Sequence, residues 1–151
     1  MQDYSQKEVI KLSNALKLHF DIDGDDFTPA GEASTAIKMK LKKLGVSPDV
    51  IRKTSIAMYE AEINTVIHGG GGMADVSIDG EKIVAVFSDT GKGIPDVEMA
   101  MREGFSTAPD EVRNLGFGAG MGLPNIKKYS DDLKIESEVG KGTTLTITIN
   151  L

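Results

Sequence analysis

The sequence predicts an α/β (α+β) fold: a two-layer sandwich whose mixed, mostly antiparallel sheet carries helices on one face. Segments with apolar residues at every second position, typical of half-buried strands, occur near the beginning and at the end of the chain. Helical segments with recognisable start signals lie between them, and tight turns join neighbouring strands. No period of 20–50 residues repeats, so we expect one domain over residues 1–151.

The first third of the chain is predicted to contain a strand and a helix. Residues 1–16 fit either a short helix or an edge strand, and both interpretations stay open. Lys17–Asp23 alternates apolar and polar residues and is a predicted strand. Thr28 as N-cap and Pro29 at the first position predict a helix that ends at Gly45. The expected core face of this helix consists of Ala36, Met39, Leu41 and Leu44.

Ser47 and Pro48 repeat this start signal and predict the longest helix, over residues 48–68. A hairpin should follow, with strands 75–78 and 82–88. The second strand is apolar on both faces, which predicts a central strand that is covered on both sides. The remaining predicted elements are a short helix, a loop long enough to be a lid, a helix and a β-hairpin, over residues 96–103, about 104–122, about 122–129, and 133–138 with 144–151.

Composition argues against several classes of protein. The chain contains no cysteine, which excludes disulfides and thiolate metal sites and fits a reducing compartment. It has no apolar run near 20 residues, and its N-terminus lacks signal-peptide features, so we expect a cytoplasmic protein without a membrane partner. A net charge of −6 argues against direct nucleic-acid binding as the main function.

A polar face on the longest predicted helix is the first half of a candidate site. Glu60, Asn64 and His68 recur every four residues, about 6 Å of helix rise apart, and so share one face. Apolar residues flank this face. The spacing therefore predicts a functional surface beside the core.

Two glycine-containing segments supply the second half. Residues 89–94 (Asp-Thr-Gly-Lys-Gly-Ile) follow the buried strand, so the carboxylate can accept hydrogen bonds from a ligand; an Asx turn is the alternative interpretation. Residues 116–123 have glycine at every second position and lead into a helix, where backbone N–H groups bind phosphate; a flexible linker is the alternative. The P-loop and the dinucleotide-binding fingerprint do not fit the spacing or the context of any glycine segment.

Taken in order, these segments resemble the ATP site of the histidine-kinase-like ATPase superfamily, which has the Bergerat fold. Most similar within it are the anti-sigma-factor serine/threonine protein kinases, which end in the type of hairpin seen here at residues 136–144. The matching boxes are Glu60-x-x-x-Asn64-x-x-x-His68, Asp89-x-Gly91-x-Gly93, Gly118-x-Gly120-x-Gly122-Leu123 and Gly142-Thr143-Thr144.

The resemblance implies ATP and Mg²⁺ as ligands and assigns roles on the helix. Asn64 would coordinate Mg²⁺, a hard cation that takes amide oxygens. Glu60 would act as general base or would orient the attacking hydroxyl. His68 would lie near the ribose or phosphates, with a helix cap as the alternative. Glu62 points about 160° away from Asn64 and is discounted from the site.

The other boxes would hold the base and the phosphates. Asp89 would accept the adenine amine, supported by Thr143, and Gly93 would let the base approach the backbone. Two cations remain open: Arg113 would reach the γ-phosphate or be solvated, and Lys92 would contact a ribose edge or solvent. The phosphate wrap would come from Gly118, Gly120 and Gly122 with Met121 and Leu123 in the same box, and Gly91 and Ile94 complete the adenine box. The bare glycine run at 69–72 departs from the family pattern and leaves the ribose side open.

The resemblance therefore implies a serine/threonine kinase that binds Mg·ATP, binds a sigma factor or analogous regulator and phosphorylates a small antagonist protein. The alternative is a non-catalytic ATP-dependent binding module whose lid switches a partner interface. An ATPase clamp of the topoisomerase or chaperone kind is disfavoured because transducer domains are absent. A homodimer is left open.

Overall fold

The structure is a computed structural model that describes residues 15–26, 29–102 and 122–151. Within these ranges the chain forms five strands and four helices. In chain order they are β1 (Leu16–Asp23), α1 (Glu32–Lys43), α2 (Pro48–Ile67), β2 (Gly71–Ile78), β3 (Lys82–Ser88), α3 (Val97–Ala100), α4 (Gly122–Tyr129), β4 (Asp132–Glu138) and β5 (Gly142–Asn150). No described helix is both long and apolar enough to cross a bilayer.

The strands form one sheet in the order β1-β2-β3-β5-β4. Every described pairing is antiparallel, for example Val76 opposite Ala85 and Ala85 opposite Ile147. The two-layer α+β architecture is confirmed, whereas the expected mixed character of the sheet is not seen in the described pairings. Short turns explain this for two of the pairings, β2–β3 and β4–β5, because a short turn can join only antiparallel neighbours.

Helices α1, α2 and α4 cover one face of the sheet. On β3, Ile83, Ala85 and Phe87 point into this core and are at most 1% exposed. Their neighbours Val84 and Val86 point to the other face and are only half-buried. The prediction of a central strand is therefore confirmed, but the prediction that both of its faces are covered is wrong, because the helices within the described residues pack on one side of the sheet.

Helix α1 begins three residues later than its start signal predicted, and a different side of the helix faces the core. Its N-cap is Gly31, whereas Pro29 lies in a turn and Thr28 is outside the described residues. The core face is Ala33, Ile37 and Leu41. The sequence assignment of Ala36 and Met39 to the core is wrong: both are exposed, and Met39 is 51% exposed.

Helix α2 follows its prediction closely. The Ser47 hydroxyl accepts a hydrogen bond from the Val50 N–H at 3.4 Å, and Pro48 is the first helical residue, where its missing N–H costs nothing. The helix ends at Ile67, with His68 as C-cap. Because α2 packs on α1, α4 and the sheet, it is the central helix of the layer.

Strand β2 begins at Gly71, four residues before the predicted start. Gly71 and Gly72 pair with Asp23 and Ile22 of β1. A Cβ at Gly72 would overlap the Ser88 carbonyl oxygen, so part of the glycine run serves close strand packing. The remaining predicted elements appear with shifts of a few residues, and the predicted lid lies outside the described residues except for Gly122.

Candidate functional site

The last turns of α2 place Glu60, Asn64 and His68 on one face, as their spacing predicts. All three are partly exposed, although this helix is otherwise largely buried. A Cβ built on Gly122 would lie 3.4 Å from Asn64 Oδ1, so the amide faces the first residue of α4. The structure thus brings the polar face of α2 against the beginning of α4.

This junction has the donors and acceptors that a phosphate-metal group requires. The first N–H groups of a helix have no intrahelical partner and attract anions. An amide oxygen beside them is a suitable ligand for a hard cation whose other ligands come from phosphate and water. The described residues contain no cluster of three or more His, Cys, Asp or Glu that could hold a metal without ligands from phosphate and water. Asn64 therefore fits Mg²⁺ that arrives with a phosphorylated ligand.

Asp89, directly after β3, forms the second wall. Its Oδ1 accepts hydrogen bonds from the N–H groups of Gly91 at 2.9 Å and Thr143 at 3.2 Å. Its own N–H donates to the Thr143 carbonyl at 3.0 Å. The side chain is partly exposed. These contacts hold the carboxylate in one orientation, as an acceptor for a donor group of a ligand.

Thr143 and Ile94 are held by the same serine. The Ser137 and Thr143 hydroxyl oxygens lie 2.8 Å apart, and the Ile94 N–H donates to Ser137 Oγ at 2.7 Å. Ser137 thereby ties the loop after β3 to the β4–β5 hairpin. The sequence reasoning missed Ser137, although its place on the inward face of an alternating strand was a usable signal.

Glycines allow these backbones to meet. A Cβ on Gly69 would lie 2.5 Å from Asp89 Cγ, and one on Gly91 would lie 2.8 Å from the His68 carbonyl oxygen. Cβ atoms at Gly142 and Gly93 would overlap the carbonyl oxygens of Asp89 and Glu138. Gly93 is therefore required by protein packing, and its role in approach to a base stays a prediction.

His68 caps α2 and lies near the second wall. Its N–H donates to the Asn64 carbonyl at 2.9 Å. Burial lowers the pKa of the imidazole below its usual 6.5, and the positive charge of Lys92 lowers it further, while Asp89 opposes both effects. The neutral imidazole is therefore favoured near pH 7. Lys92 is exposed, and its carbonyl accepts from the Gly140 N–H at 2.9 Å.

Glu62 is, after Ser137, a second residue whose importance the sequence reasoning missed. It points away from the polar face of α2, as expected, and it is only 2% exposed. Its carboxylate accepts from the N–H groups of Gly31 (2.9 Å), Ala33 (3.1 Å) and Ser34 (3.0 Å) at the start of α1. It also borders a cleft of about 410 Å³ between β1, α1 and α2 that contains none of the predicted site residues. A carboxylate between Ala61 and Ile63 on an apolar helix face was the signal for such a cap.

The remaining predicted site residues lie either in the core or outside the described residues. Leu123 is 7% exposed and is part of the core, so its side chain anchors α4. Four predicted residues lie outside the described residues: Arg113, Gly118, Gly120 and Met121.

Comparison with known proteins identifies the family. Residues 51–151 match the family described as histidine kinase-, DNA gyrase B-, and HSP90-like ATPase. The anti-sigma F factor of Thermoanaerobacter sp. (strain X514) is 34% identical over 121 residues, which cover 77% of this chain and 81% of that protein. The anti-sigma F factor of Clostridium acetobutylicum is 30% identical over 141 residues, covering 89% of this chain and 92% of that protein.

A solved structure supports the fold. The crystal structure of the RsbU and RsbW domains of Rv1364c from Mycobacterium tuberculosis matches with a TM-score of 0.61 at 19% identity. The match covers 89% of this chain and 32% of that longer chain. The two walls described above lie within the matched region, and the chain belongs to the histidine kinase-, DNA gyrase B-, and HSP90-like ATPase family, in which it is related to the anti-sigma F factors.

Proposed function

We propose that this chain is an ATP-binding anti-sigma regulator with serine/threonine protein kinase activity. It would bind Mg·ATP and a sigma factor or analogous regulator, and phosphorylate a small antagonist protein. The observation that carries the proposal is the pairing of two walls: Asn64 against the start of α4, and Asp89 held by two backbone N–H groups. The relationship to anti-sigma F factors supports the choice of partner class.

The proposed roles follow from the chemistry of each wall. ATP supplies the phosphoryl group, and Mg²⁺ neutralises its negative charge. Asp89, with one oxygen committed to the protein, accepts the adenine amine, while Asn64 holds the metal. Glu60, one turn before Asn64, accepts the proton of the Ser or Thr hydroxyl. We further propose a single domain over residues 1–151, with residues 104–122 as lid.

The first experiment tests nucleotide binding. Asn64→Ala should weaken Mg·ATP binding by at least about tenfold in titration calorimetry, because it removes the proposed metal ligand. Asn150→Ala is the matched control, since Asn150 is exposed at the end of β5, away from both walls. Equal affinity in the two variants would show that the Asn64 assignment is wrong.

The second experiment tests catalysis. Glu60→Gln should retain Mg·ATP binding but reduce phosphate transfer by about 10²–10⁴-fold, the usual contribution of a general base. Labelled ATP and proteins from the source cell, followed by phosphosite mapping, provide the readout; Glu81→Gln, an exposed change, is the control. Binding without transfer by the unaltered protein would replace the kinase proposal with a non-catalytic binding module.

A further inference from the structure

Three helix ends form a basic surface at one end of the helical layer. A loop of four residues, 44–47, joins the end of α1 to the start of α2, and the two helices pack together. The end of α4 meets the same place, because the Arg52 guanidinium lies 5.7 Å from the centre of the Tyr129 ring. We call this surface the basic pole and define it by Lys40, Lys42, Lys43, Arg52, Lys53, Lys127 and Lys128.

The basic pole contrasts with the rest of the chain. The protein carries 17 Lys and Arg against 23 Asp and Glu, yet seven of the cations are at these helix ends. Asp49 is the acidic residue within the three helix ends as the structure describes them, and its carboxylate lies 3.2 Å from both the Arg52 and the Lys53 side chain. Asp131 and Asp132 lie beyond α4, and Asp131 accepts from the Asn150 N–H at 2.7 Å. The helix ends therefore carry net positive charge in an acidic protein.

Helix stability explains only part of this charge. Lysines in the last turns of α1 and α4 interact favourably with the negative end of the helix dipole. Arg52 and Lys53 lie in the second turn of α2, where the dipole does not favour a positive charge, and both pair with Asp49. Met39 adds an exposed apolar side chain one turn before Lys42 and Lys43. Methionine is flexible and polarizable, and it occurs often at surfaces that bind varied protein partners.

We propose that the basic pole is a docking surface for an acidic segment of a partner protein, with Met39 as its apolar anchor. Charge complementarity selects this occupant. Nucleic acid fits less well, because Arg52 and Lys128 occupy the Tyr129 ring on which a base would stack. An extended anionic membrane would face the net charge of −6 of the whole protein.

The position of the pole implies that docking leaves the two walls accessible. Arg52 precedes Asn64 by twelve residues on α2, which corresponds to about 18 Å along the helix. An acidic segment seated at the pole would therefore leave Asn64 uncovered. This inference does not depend on the proposed kinase activity.

The test uses a fluorescein-labelled glutamate-rich peptide with two leucines, and fluorescence anisotropy in low and physiological salt. Changing Lys42, Lys43 and Lys127 together to Glu should weaken peptide binding at least about tenfold. The matched control changes Lys17, Lys82 and Lys134 to Glu; all are exposed in strands, and the change in net charge is the same. Its affinity should fall by less than about threefold.

Two further variants separate docking from folding and from general attraction. The same three pole lysines changed to Gln avoid a negative charge at the helix ends and should still weaken binding. Met39→Ala should weaken binding of the leucine peptide but not of a peptide with serines in place of the leucines. Circular dichroism establishes that each variant is folded.

Four results would overturn the proposal. The first two are absence of peptide binding, and an equal loss of peptide affinity in the pole and control triple variants. The third is tighter binding to duplex DNA or phosphatidylserine vesicles than to the peptide, and the fourth is a salt-sensitive self-association in sedimentation that the pole triple variant abolishes. The last result would make a second copy of this chain the occupant.

Discussion

Removal of the Glu62 carboxylate should destabilise the whole domain, because this side chain connects two helices. In Glu62→Ala, three N–H groups at the start of α1 lose their acceptor. One buried unsatisfied donor costs about 1–3 kcal/mol. Water from the neighbouring cleft can replace part of the loss, so the full sum is an upper bound. We expect a free energy of unfolding lower by about 2–4 kcal/mol.

Glu62→Gln should lower the free energy of unfolding by less than Glu62→Ala, because one side-chain oxygen remains as an acceptor. Oε2 accepts two of the bonds and Oε1 accepts the bond from Ser34. A glutamine oxygen can replace Oε2, but its NH₂ group then faces the Ser34 donor. The loss of one bond and of the charge at the helix N-terminus corresponds to about 1–2 kcal/mol.

Urea denaturation followed by circular dichroism measures both effects. At about 2–4 °C per kcal/mol for a chain of this size, Glu62→Ala should also melt at least about 4 °C lower. Glu60→Ala, two residues away and partly exposed, is the control and should change stability by less than about 0.5 kcal/mol. If Glu62→Ala unfolded at the same urea concentration as the unaltered protein, the cap would not stabilise the fold as argued.

Further predictions concern the walls and the two histidines. Gly69→Ala should displace the Asp89 carboxylate, 2.5 Å from the new Cβ, and weaken ATP binding by about tenfold or more in calorimetry; Gly140→Ala, whose Cβ would meet open space, should not. NMR titration should give His68 a pKa below 6.5, because of burial and Lys92, and exposed His19 one above 6.5, because of Asp75 and Asp21; coincident titrations would contradict both environments. Because the pKa of His68 is lower in the folded protein, the unfolded chain binds this proton more readily. The stability that neutral His68 contributes is therefore fully present above pH 6.5, and it is lost as the pH falls through the folded pKa. Urea curves of His68→Asn should lack this component.

Much of the fold could be predicted because its signals are local. Ser47 and Pro48 begin α2 in the sequence and in the structure, since a cap acts within one turn. The alternation in β5 places Leu145, Ile147 and Ile149 in the core. The four-residue spacing on α2 determines that Glu60, Asn64 and His68 share a face, whatever packs around them.

Contacts between distant residues decided the rest. Thr28 and Pro29 signal a helix start, but Glu62 supplies the cap from another helix and α1 begins at Glu32. β2 extends back to Gly71 because Gly71 and Gly72 pair with Asp23 and Ile22 of β1, which are distant in the sequence. The sequence by itself determined the residue types and spacings of the candidate site, such as the shared face of Glu60, Asn64 and His68 on α2. Only the tertiary structure decided their partners, because the Asn64–Gly122 and Asp89–Thr143 contacts join segments more than fifty residues apart.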